Sequence, residues 1–200
     1  EQHSFSYGDS ATKYIATKHE AEQLVLDAAN QGVPALVVNP TFMIGPRDAK
    51  PSSGKMILYY MRNPLIVCPP GGKNFVPVCD AAVAIANALE QGQIGARYLL
   101  AGANLDYETF FEMVAEATGS GKPTLTAPGW LLKGIGRIGD VIQYFTREPI
   151  SFTYANTSLL TIDNFYTASK AIRELDMPQT PINKGIREAV EWFTRHEYLK

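Results

Sequence analysis

The chain of 200 residues has few of the features that mark several large classes of protein. Its two cysteines, Cys68 and Cys79, lack the paired spacing of a disulfide framework, so we expect small buried thiols. The three histidines are scattered and form no metal-ligand pattern. No apolar run approaches the length of a membrane span and no signal peptide is visible, which favours a cytoplasmic location. The net charge of −2, with both signs mixed, gives no indication of nucleic acid or an anionic membrane as a partner.

The sequence does contain a tyrosine and a lysine four residues apart, Tyr14 and Lys18, in a segment with helical spacing. Side chains at positions i and i+4 project from the same face of a helix. Because Ala21, Val25 and Ala28 fall on that face too, we expect Lys18 to lie on the buried side of an amphipathic helix. One ammonium about 4 Å from a phenol favours the phenolate by on the order of 4 kcal/mol. That is enough to lower a tyrosine pKa from about 10 to near 7, which indicates acid–base chemistry.

The same spacing occurs a second time, at Tyr166 and Lys170. Here the helical pattern is short, from Ala171 to Leu175, and we expect Ser169 to be its N-cap. Tyr166 then lies outside the helix, where the i,i+4 geometry does not hold. We therefore assign the functional role to Tyr14 and interpret Tyr166 as a packing residue.

The pattern around Tyr14 predicts a helix over residues 12–31, followed by a strand over 33–39. The β-branched run in that strand is typical of a parallel sheet covered on both faces. In such sheets ligands bind beyond the carboxyl ends of the strands. The loop rich in proline and glycine from Asn39 to Asp48 is therefore the expected ligand site.

Several motifs share an order and a spacing that extend over nearly the whole chain. They are Tyr14-x-x-x-Lys18, Ala21-Glu22, Asn39-Pro40-x-x-x-x-Gly45-Pro46-Arg47-Asp48, the segment Phe75 to Asp80, the segment Gly95 to Leu100, and Ser169-Lys170-Ala171-x-x-Glu174-Leu175. Together they resemble the extended short-chain dehydrogenases/reductases. The form of the third motif resembles most the dihydroflavonol-4-reductase-like branch of that family.

The resemblance implies an α/β fold in two parts. Residues 1–101 are expected to form the C-terminal part of a Rossmann-type, doubly wound parallel sheet, with a substrate-loop insertion at 41–78. Residues 102–200 are expected to form a smaller, mostly helical substrate domain. Members of the family begin with a strand, a Gly-x-x-Gly-x-x-Gly loop and a helix that holds the dinucleotide pyrophosphate. Because thirteen residues precede Tyr14, we expect that half of the fold, and the catalytic serine of the family, to be missing here.

A formal Gly-x-Gly-x-x-Gly occurs at residues 134–139, within Gly134-Ile135-Gly136-Arg137-Ile138-Gly139. This motif indicates dinucleotide binding only between a strand and a helix, with an acidic residue about twenty positions further on. Position 154 is a tyrosine, and the surrounding apolar residues have helical spacing. The segment therefore predicts an amphipathic helix whose glycines permit close packing.

The remaining elements are predicted from their periodicity. Residues 40–75 are loop-rich, with a short helix at 54–61, and Asp80 is expected to cap a helix that ends at 90 or 91. A strand at 97–101 is expected to be the last of the sheet. Further helices are predicted at 106–118, 130–146, 171–175 and 182–196.

The resemblance also implies roles for the site residues. Tyr14 exchanges a proton with the substrate oxygen as hydride moves, and Lys18 holds the nicotinamide ribose and lowers the pKa of Tyr14. The cofactor is NADP or NAD, with NADP slightly favoured. Its nicotinamide packs on the segment Pro40, Thr41, Phe42 and Met43, and main-chain groups of Thr41 to Met43 reach its carboxamide. Candidates for an apolar substrate pocket, with core packing as the alternative for most, are Phe42, Met43, Tyr59, Tyr60 and Phe75; Arg47 is a candidate for an acidic group or a solvated loop charge.

The function implied is reduction of a ketone or aldehyde. Sugar-nucleotide epimerases and dehydratases of the family, the first alternative, often have a Gln-Arg-Asp-Phe-like stretch where this chain has Gly72-Lys73-Asn74-Phe75. A lysine lacks the bidentate fork with which arginine holds a diphosphate, which favours a less charged substrate. A non-catalytic binding protein with this fold is the other alternative. Since family members commonly dimerise through the Tyr/Lys helix, we expect a homodimer through helices 12–31 and 80–91.

Overall fold

The computed structural model describes residues 13–122, 124–146 and 152–199. The first half of the chain contains α1 (Lys13–Asn30), β1 (Val37–Pro40), β2 (Phe42–Ile44), α2 (Lys55–Arg62), β3 (Ile66–Cys68), β4 (Gly72–Pro77), α3 (Val78–Gln91) and β5 (Arg97–Leu100). The second half contains β6 (Ala103–Asp106), α4 (Tyr107–Thr118), β7 (Thr124–Thr126), α5 (Gly129–Thr146), α6 (Tyr154–Leu159), β8 (Asp163–Asn164), α7 (Ser169–Leu175) and α8 (Ile182–Arg195).

The predicted parallel pairing is confirmed. β1 and β5 run parallel, with Val37 opposite Arg97 and Pro40 opposite Leu100. Residues 33–36 were expected to belong to the strand but precede it. Gly32 turns the chain with a φ of 97°, and Pro34 has no N–H to give to a ladder.

β5 is the last strand of the sheet that β1 begins, as expected, but strands also occur after residue 101 in two other sheets, and three strands that periodicity missed begin within segment 40–75. β4 pairs in parallel with β2 and β8 and antiparallel with β6, while β3 pairs in parallel with β7. Most of these strands are three or four residues long, and β8 has two. Such strands are too short for an alternating pattern to show, and partners from distant parts of the chain stabilise them.

The predicted helices agree with the structure to within about two residues, apart from two of the predicted caps, whereas the six-residue α6 was not predicted. α3 begins after Pro77, so Asp80 is not its N-cap but a buried residue of its first turn. The Asp80 carboxylate accepts hydrogen bonds from the main-chain N–H and the hydroxyl of Thr180, at 2.7 and 2.8 Å. Similarly, Ala168 precedes α7, and Ser169 is its first residue rather than its cap.

Two hydrophobic clusters form the core, and both join residues from the two halves of the sequence. One contains Phe75, Phe110 and Phe193, and the other contains Tyr98 and Leu175. The two halves of the chain thus share a core and a sheet. The division into two domains at residue 101 stays a prediction.

The structure also bears on the two cysteines and on membrane spans. Cys68 is buried as expected, whereas Cys79 is exposed on α3. Among the helices of the described residues, none has the length and apolar character required to cross a bilayer.

Candidate active site

Tyr14 and Lys18 lie on one face of α1, as their spacing predicts. The Lys18 Nζ is 5.8 Å from the centroid of the Tyr14 ring. The helix therefore holds an ammonium and a phenol side by side near its N-terminal end.

The expectation that this face is buried is wrong for the chain described here. Tyr14 is 70% exposed, and Lys18, Ala21 and Val25 are exposed as well. The reason is the open edge of β1, which pairs only with β5 among the described strands. An open groove of about 450 Å³ runs between α1 and that edge, and Lys18 and Val25 line it.

A polar contact fixes α1 against the strands. The Glu22 carboxylate accepts a hydrogen bond from the Asn39 side chain at 3.2 Å and pairs with the Arg97 Nε at 2.7 Å. Lys18 lies one helical turn, about 6 Å, before Glu22, and Tyr14 lies about two turns before it. The pair therefore lies toward the carboxyl end of β1, where an open α/β sheet binds its ligands.

Thr41 joins the end of β1 to β2, and both of its hydrogen-bond donors are bonded to other residues of the chain. Its main-chain N–H donates to the Leu100 carbonyl at 3.0 Å. Its hydroxyl donates to the Asn74 side-chain oxygen at 2.7 Å. A cofactor carboxamide would thus have to contact this segment through groups other than the Thr41 N–H. Contacts through Pro40, Phe42 and Met43 stay a prediction, and Met43 is partly exposed.

Asn74 is a residue of this region that the sequence reasoning missed. It is buried in β4, and its side-chain oxygen also accepts a hydrogen bond from the Gly102 N–H at 2.8 Å. Its amide nitrogen donates to the Gly102 carbonyl at 3.0 Å and to the Asn104 side chain at 2.6 Å. Asn74 therefore holds the β1–β2 junction against the β5–β6 turn. The only feature of the sequence that points to this role is a polar residue directly before the apolar run Phe75-Val76-Pro77.

Lys73, the neighbour of Asn74, is a half-buried cation beside the same segment. Its Nζ is 5.1 Å from the centroid of the Phe42 ring. Burial lowers the pKa of the Lys73 ammonium below its ordinary value. Among the described residues no carboxylate forms an ion pair with it. The site thus presents a partly desolvated positive charge.

The candidates for the substrate pocket separate into core and surface residues. Tyr60 and Phe75 are at most 1% exposed and belong to the core, which is the alternative that the sequence left open for them, and their place in a substrate pocket stays a prediction. Phe42 is half-buried and packs edge-on against Phe75, with ring centroids 5.6 Å apart. The Tyr59 hydroxyl is bonded to the main chain of Val67. Arg47 lies in the loop after β2 with an exposed side chain and a φ of 71°.

The second tyrosine–lysine match does not form a pair on a helix. Tyr166 precedes α7, as predicted, and the Lys170 Nζ donates to the Arg97 carbonyl at 2.8 Å. The Lys170 ammonium also lies 4.5 Å from the centroid of the Tyr98 ring. Lys170 therefore connects α7 to β5.

The glycine motif at 134–139 lies inside α5, as predicted. A Cβ on Gly136 would lie 2.1 Å from the Thr157 hydroxyl, and one on Gly139 would lie 1.8 Å from the Phe152 carbonyl. These two glycines permit the close approach of α5 to α6 and its preceding turn. They do not form a phosphate-binding loop between a strand and a helix.

Comparisons with known proteins agree with the motifs and the fold. The chain is 33% identical over 193 residues to a protein named putative dihydroflavonol 4-reductase from Synechocystis sp., covering 94% of this chain and 56% of that protein. It is 30% identical over 188 residues to sterol demethylase protein B from Methylococcus capsulatus, covering 92% and 57%. The chain thus spans a little over half the length of these curated relatives. The solved structure of gox2253 superposes with a TM-score of 0.83 at 30% identity, covering 100% of this chain and 61% of that one.

The family assignment rests on the first half of the chain. Residues 1–101 match the profile of the NAD dependent epimerase/dehydratase family. This half contains the tyrosine–lysine helix, the β1–β2 junction and Lys73. The chain belongs to the NAD dependent epimerase/dehydratase family.

Proposed function

We propose that this chain carries the proton-transfer half of an NAD(P)-dependent reductase that acts on a ketone or an aldehyde. Tyr14 donates the proton to the substrate oxygen as hydride arrives from the nicotinamide. Lys18 holds the ribose of the nicotinamide and stabilises the Tyr14 phenolate. The observation that supports these roles most directly is the Lys18 ammonium, which lies beside the Tyr14 ring toward the carboxyl end of β1.

The family and its relatives support this chemistry. The family name includes NAD, and the two curated relatives are named for a reductase and for a sterol demethylase. A dihydroflavonol and a sterol carry no phosphate, so these names fit an uncharged carbonyl substrate. The choice between NADP and NAD, the cytoplasmic location and the two-domain division remain part of the proposal.

The test uses three variants of the complete protein, with whatever segments flank this chain. Tyr14→Phe should lower turnover by about 10²- to 10⁴-fold while cofactor still binds, because it removes only the proton donor. Lys18→Met should lower both turnover and cofactor affinity, since this lysine has two tasks. Tyr166→Phe is the matched control and should stay within a few-fold of the parent, because no cofactor is expected at α7. Reduction of a panel of aryl and aliphatic ketones and aldehydes, with NADPH and with NADH, measures all three.

Two results would contradict the assignment. If Tyr166→Phe lost turnover and Tyr14→Phe kept it, the other tyrosine would be the acid. If the parent protein bound cofactor but turned over no carbonyl compound, the chain would be better described as a non-catalytic binding protein of this family.

One observation favours a second candidate, a sugar-nucleotide epimerase or dehydratase. Lys73 is half-buried beside Phe42 and no carboxylate of the described residues pairs with it. A partly desolvated cation in this position is suited to an anionic group of a substrate.

Lys73 distinguishes the two candidates. With an anionic substrate, Lys73→Met should raise KM by roughly ten- to hundredfold, the size of a lost charge-assisted hydrogen bond, while Lys73→Arg should retain most of the affinity. With neutral ketones, Lys73→Met should change KM less than a few-fold.

The pH dependence gives an independent readout of the same question. Anion binding requires protonated Lys73, and burial lowers the pKa of that ammonium. The KM for an anionic substrate should therefore rise as pH increases, with a midpoint below the ordinary lysine value of about 10.4. Equal effects of Lys73→Met on anionic and neutral substrates would contradict the second candidate.

A further inference from the structure

A row of exposed apolar side chains runs along α5. Trp130, Leu131, Ile138, Val141, Ile142 and Phe145 are between 42% and 78% exposed. Successive residues of a helix turn by about 100°, which places these six side chains on one continuous arc along the 18-residue helix. We call this arc the α5 apolar face. Isolated exposed apolar residues need no explanation, but a continuous face of this size marks a binding surface.

The opposite side of α5 already has its partner. Gly136 and Gly139 are buried there, against α6 and the turn before it. The prediction of an amphipathic helix therefore holds in part: the glycines make the intramolecular contact, and the large apolar side chains face outward. Packing within the described chain does not account for them.

The charges beside the face identify the kind of partner. Lys133 and Arg137, one turn apart, border the face on one side. The only acidic residue of α5 is Asp140, and its carboxylate accepts a hydrogen bond from the Tyr154 N–H at 3.2 Å. The guanidinium carbon of Arg137 lies 5.2 Å from the centroid of the Tyr154 ring. The surface is thus apolar with a cationic border.

We propose that α5 binds in the plane of an anionic lipid surface, with the α5 apolar face inserted between the acyl chains and Lys133 and Arg137 at the headgroups. Helices with this division of residues lie in the interface of a bilayer. Trp130 near one end of the helix, and Tyr144 near the other, are of the types that prefer the boundary between lipid and water.

A second copy of the chain fits the α5 apolar face less well than lipid does. The border opposite the cations contains Ile135 and Thr146 and no acidic residue. Two such faces in contact would therefore bring no carboxylate of α5 to Lys133 or Arg137. Anionic headgroups supply that charge complement.

The tryptophans make the proposal directly measurable. The chain has two, and Trp192 is half-buried and stacked on His196. In a Trp192→Phe variant of the complete protein, fluorescence reports Trp130 alone within this chain. We expect sedimentation with vesicles of phosphatidylcholine containing phosphatidylglycerol, and quenching of Trp130 by brominated acyl chains. Ile138→Glu should weaken vesicle binding at least tenfold, and Lys133→Gln roughly fivefold.

The matched control is Ile94→Glu, which places the same charge on an exposed isoleucine of the α3–β5 loop. It should bind vesicles within twofold of the parent. No binding, equal binding by Ile138→Glu, or equal binding to neutral phosphatidylcholine vesicles would overturn the proposal. Self-association without lipid that Ile138→Glu abolishes would show that a second copy covers the face instead. Shielding of Trp130 from an aqueous quencher without lipid would show that another part of the complete protein covers it. The measurement needs no turnover, so its failure is independent of the proposed reductase activity.

Discussion

Buried polar side chains connect segments of this chain that lie far apart in the sequence. Asn74 joins the β1–β2 junction to the β5–β6 turn, and Asp80 joins α3 to the segment before α8. Each satisfies a main-chain N–H as well as side-chain donors. A buried donor that loses its acceptor costs the full desolvation of that group, so such residues stabilise the fold more than an exposed pair does.

Asp80→Ala should therefore destabilise the protein. The change removes two charge-assisted hydrogen bonds to the half-buried Thr180, which costs about 1–3 kcal/mol. Thermal or urea unfolding measures the loss. Asp163→Ala removes an exposed carboxylate of β8 and should change the free energy of unfolding by less than about 0.5 kcal/mol. Equal losses in both variants would show that net charge, rather than the Thr180 contact, is responsible.

At the scale of secondary-structure elements, two helices have faces with different surroundings. α1 is held by Glu22 to β1 and β5, while its Tyr14 face borders an open groove. α5 is held by its glycines to α6, while its large apolar residues face outward. In both cases hydrophobic periodicity identifies the helix correctly but does not tell which side the chain covers.

Gly139 and Gly134 of α5 differ in the space around their Cβ positions, so their alanine variants form a matched pair. Gly139→Ala would place a Cβ 1.8 Å from the Phe152 carbonyl and should separate α5 from the turn before α6, at a cost of about 1–3 kcal/mol. Gly134 has nothing within 4 Å of its Cβ position, and Gly134→Ala should stabilise the helix by up to about 1 kcal/mol. Unfolding curves and hydrogen exchange of the α5 amides report both. Faster exchange in both variants would show that the clash at Gly139 is not the cause.

At the scale of the whole molecule, exposed apolar residues occur on α1 and α3 as well as on α5. Leu24 on α1 and Leu89 on α3 are 65% and 87% exposed. These are the two helices that the resemblance to the family places at a dimer interface. The net charge of −2 carries no information about such surfaces, since Lys133 and Arg137 are cancelled in the total by acids elsewhere.

The homodimer remains a prediction, and Leu89→Glu tests it. In the complete protein the substitution should convert a dimer to a monomer at micromolar concentration, because it buries a charge in an apolar contact. Light scattering gives the mass directly. Ile138→Glu, on the separate α5 surface, is the control and should leave the dimer intact. A monomeric parent protein would contradict the prediction outright.

The sequence by itself determined the elements that depend on local patterns. Helices longer than two turns, the apolar runs of β1 and β5, and the neighbourhood of Tyr14 and Lys18 follow from periodicity and spacing, because each depends on residues close in the chain. The parallel pairing of the two strands joins residues sixty positions apart and was predicted from the fold class rather than from a local pattern. The rejection of residues 134–139 as a nucleotide loop depended on the same local context and was confirmed. The motifs also identified the family from order and spacing alone.

Only the tertiary structure decided which surfaces are covered and which polar groups are paired. The strands β3, β4, β6, β7 and β8 exist through partners that are distant in sequence, so no short window predicts them. Burial of Tyr60 and Phe75, pairing of the Thr41 N–H with Leu100, and the contact of Asp80 with Thr180 depend on the same long-range packing. The physical reason is common to all of them: a residue's type and spacing limit what it can contact, and the neighbours that the fold brings to it determine what it does.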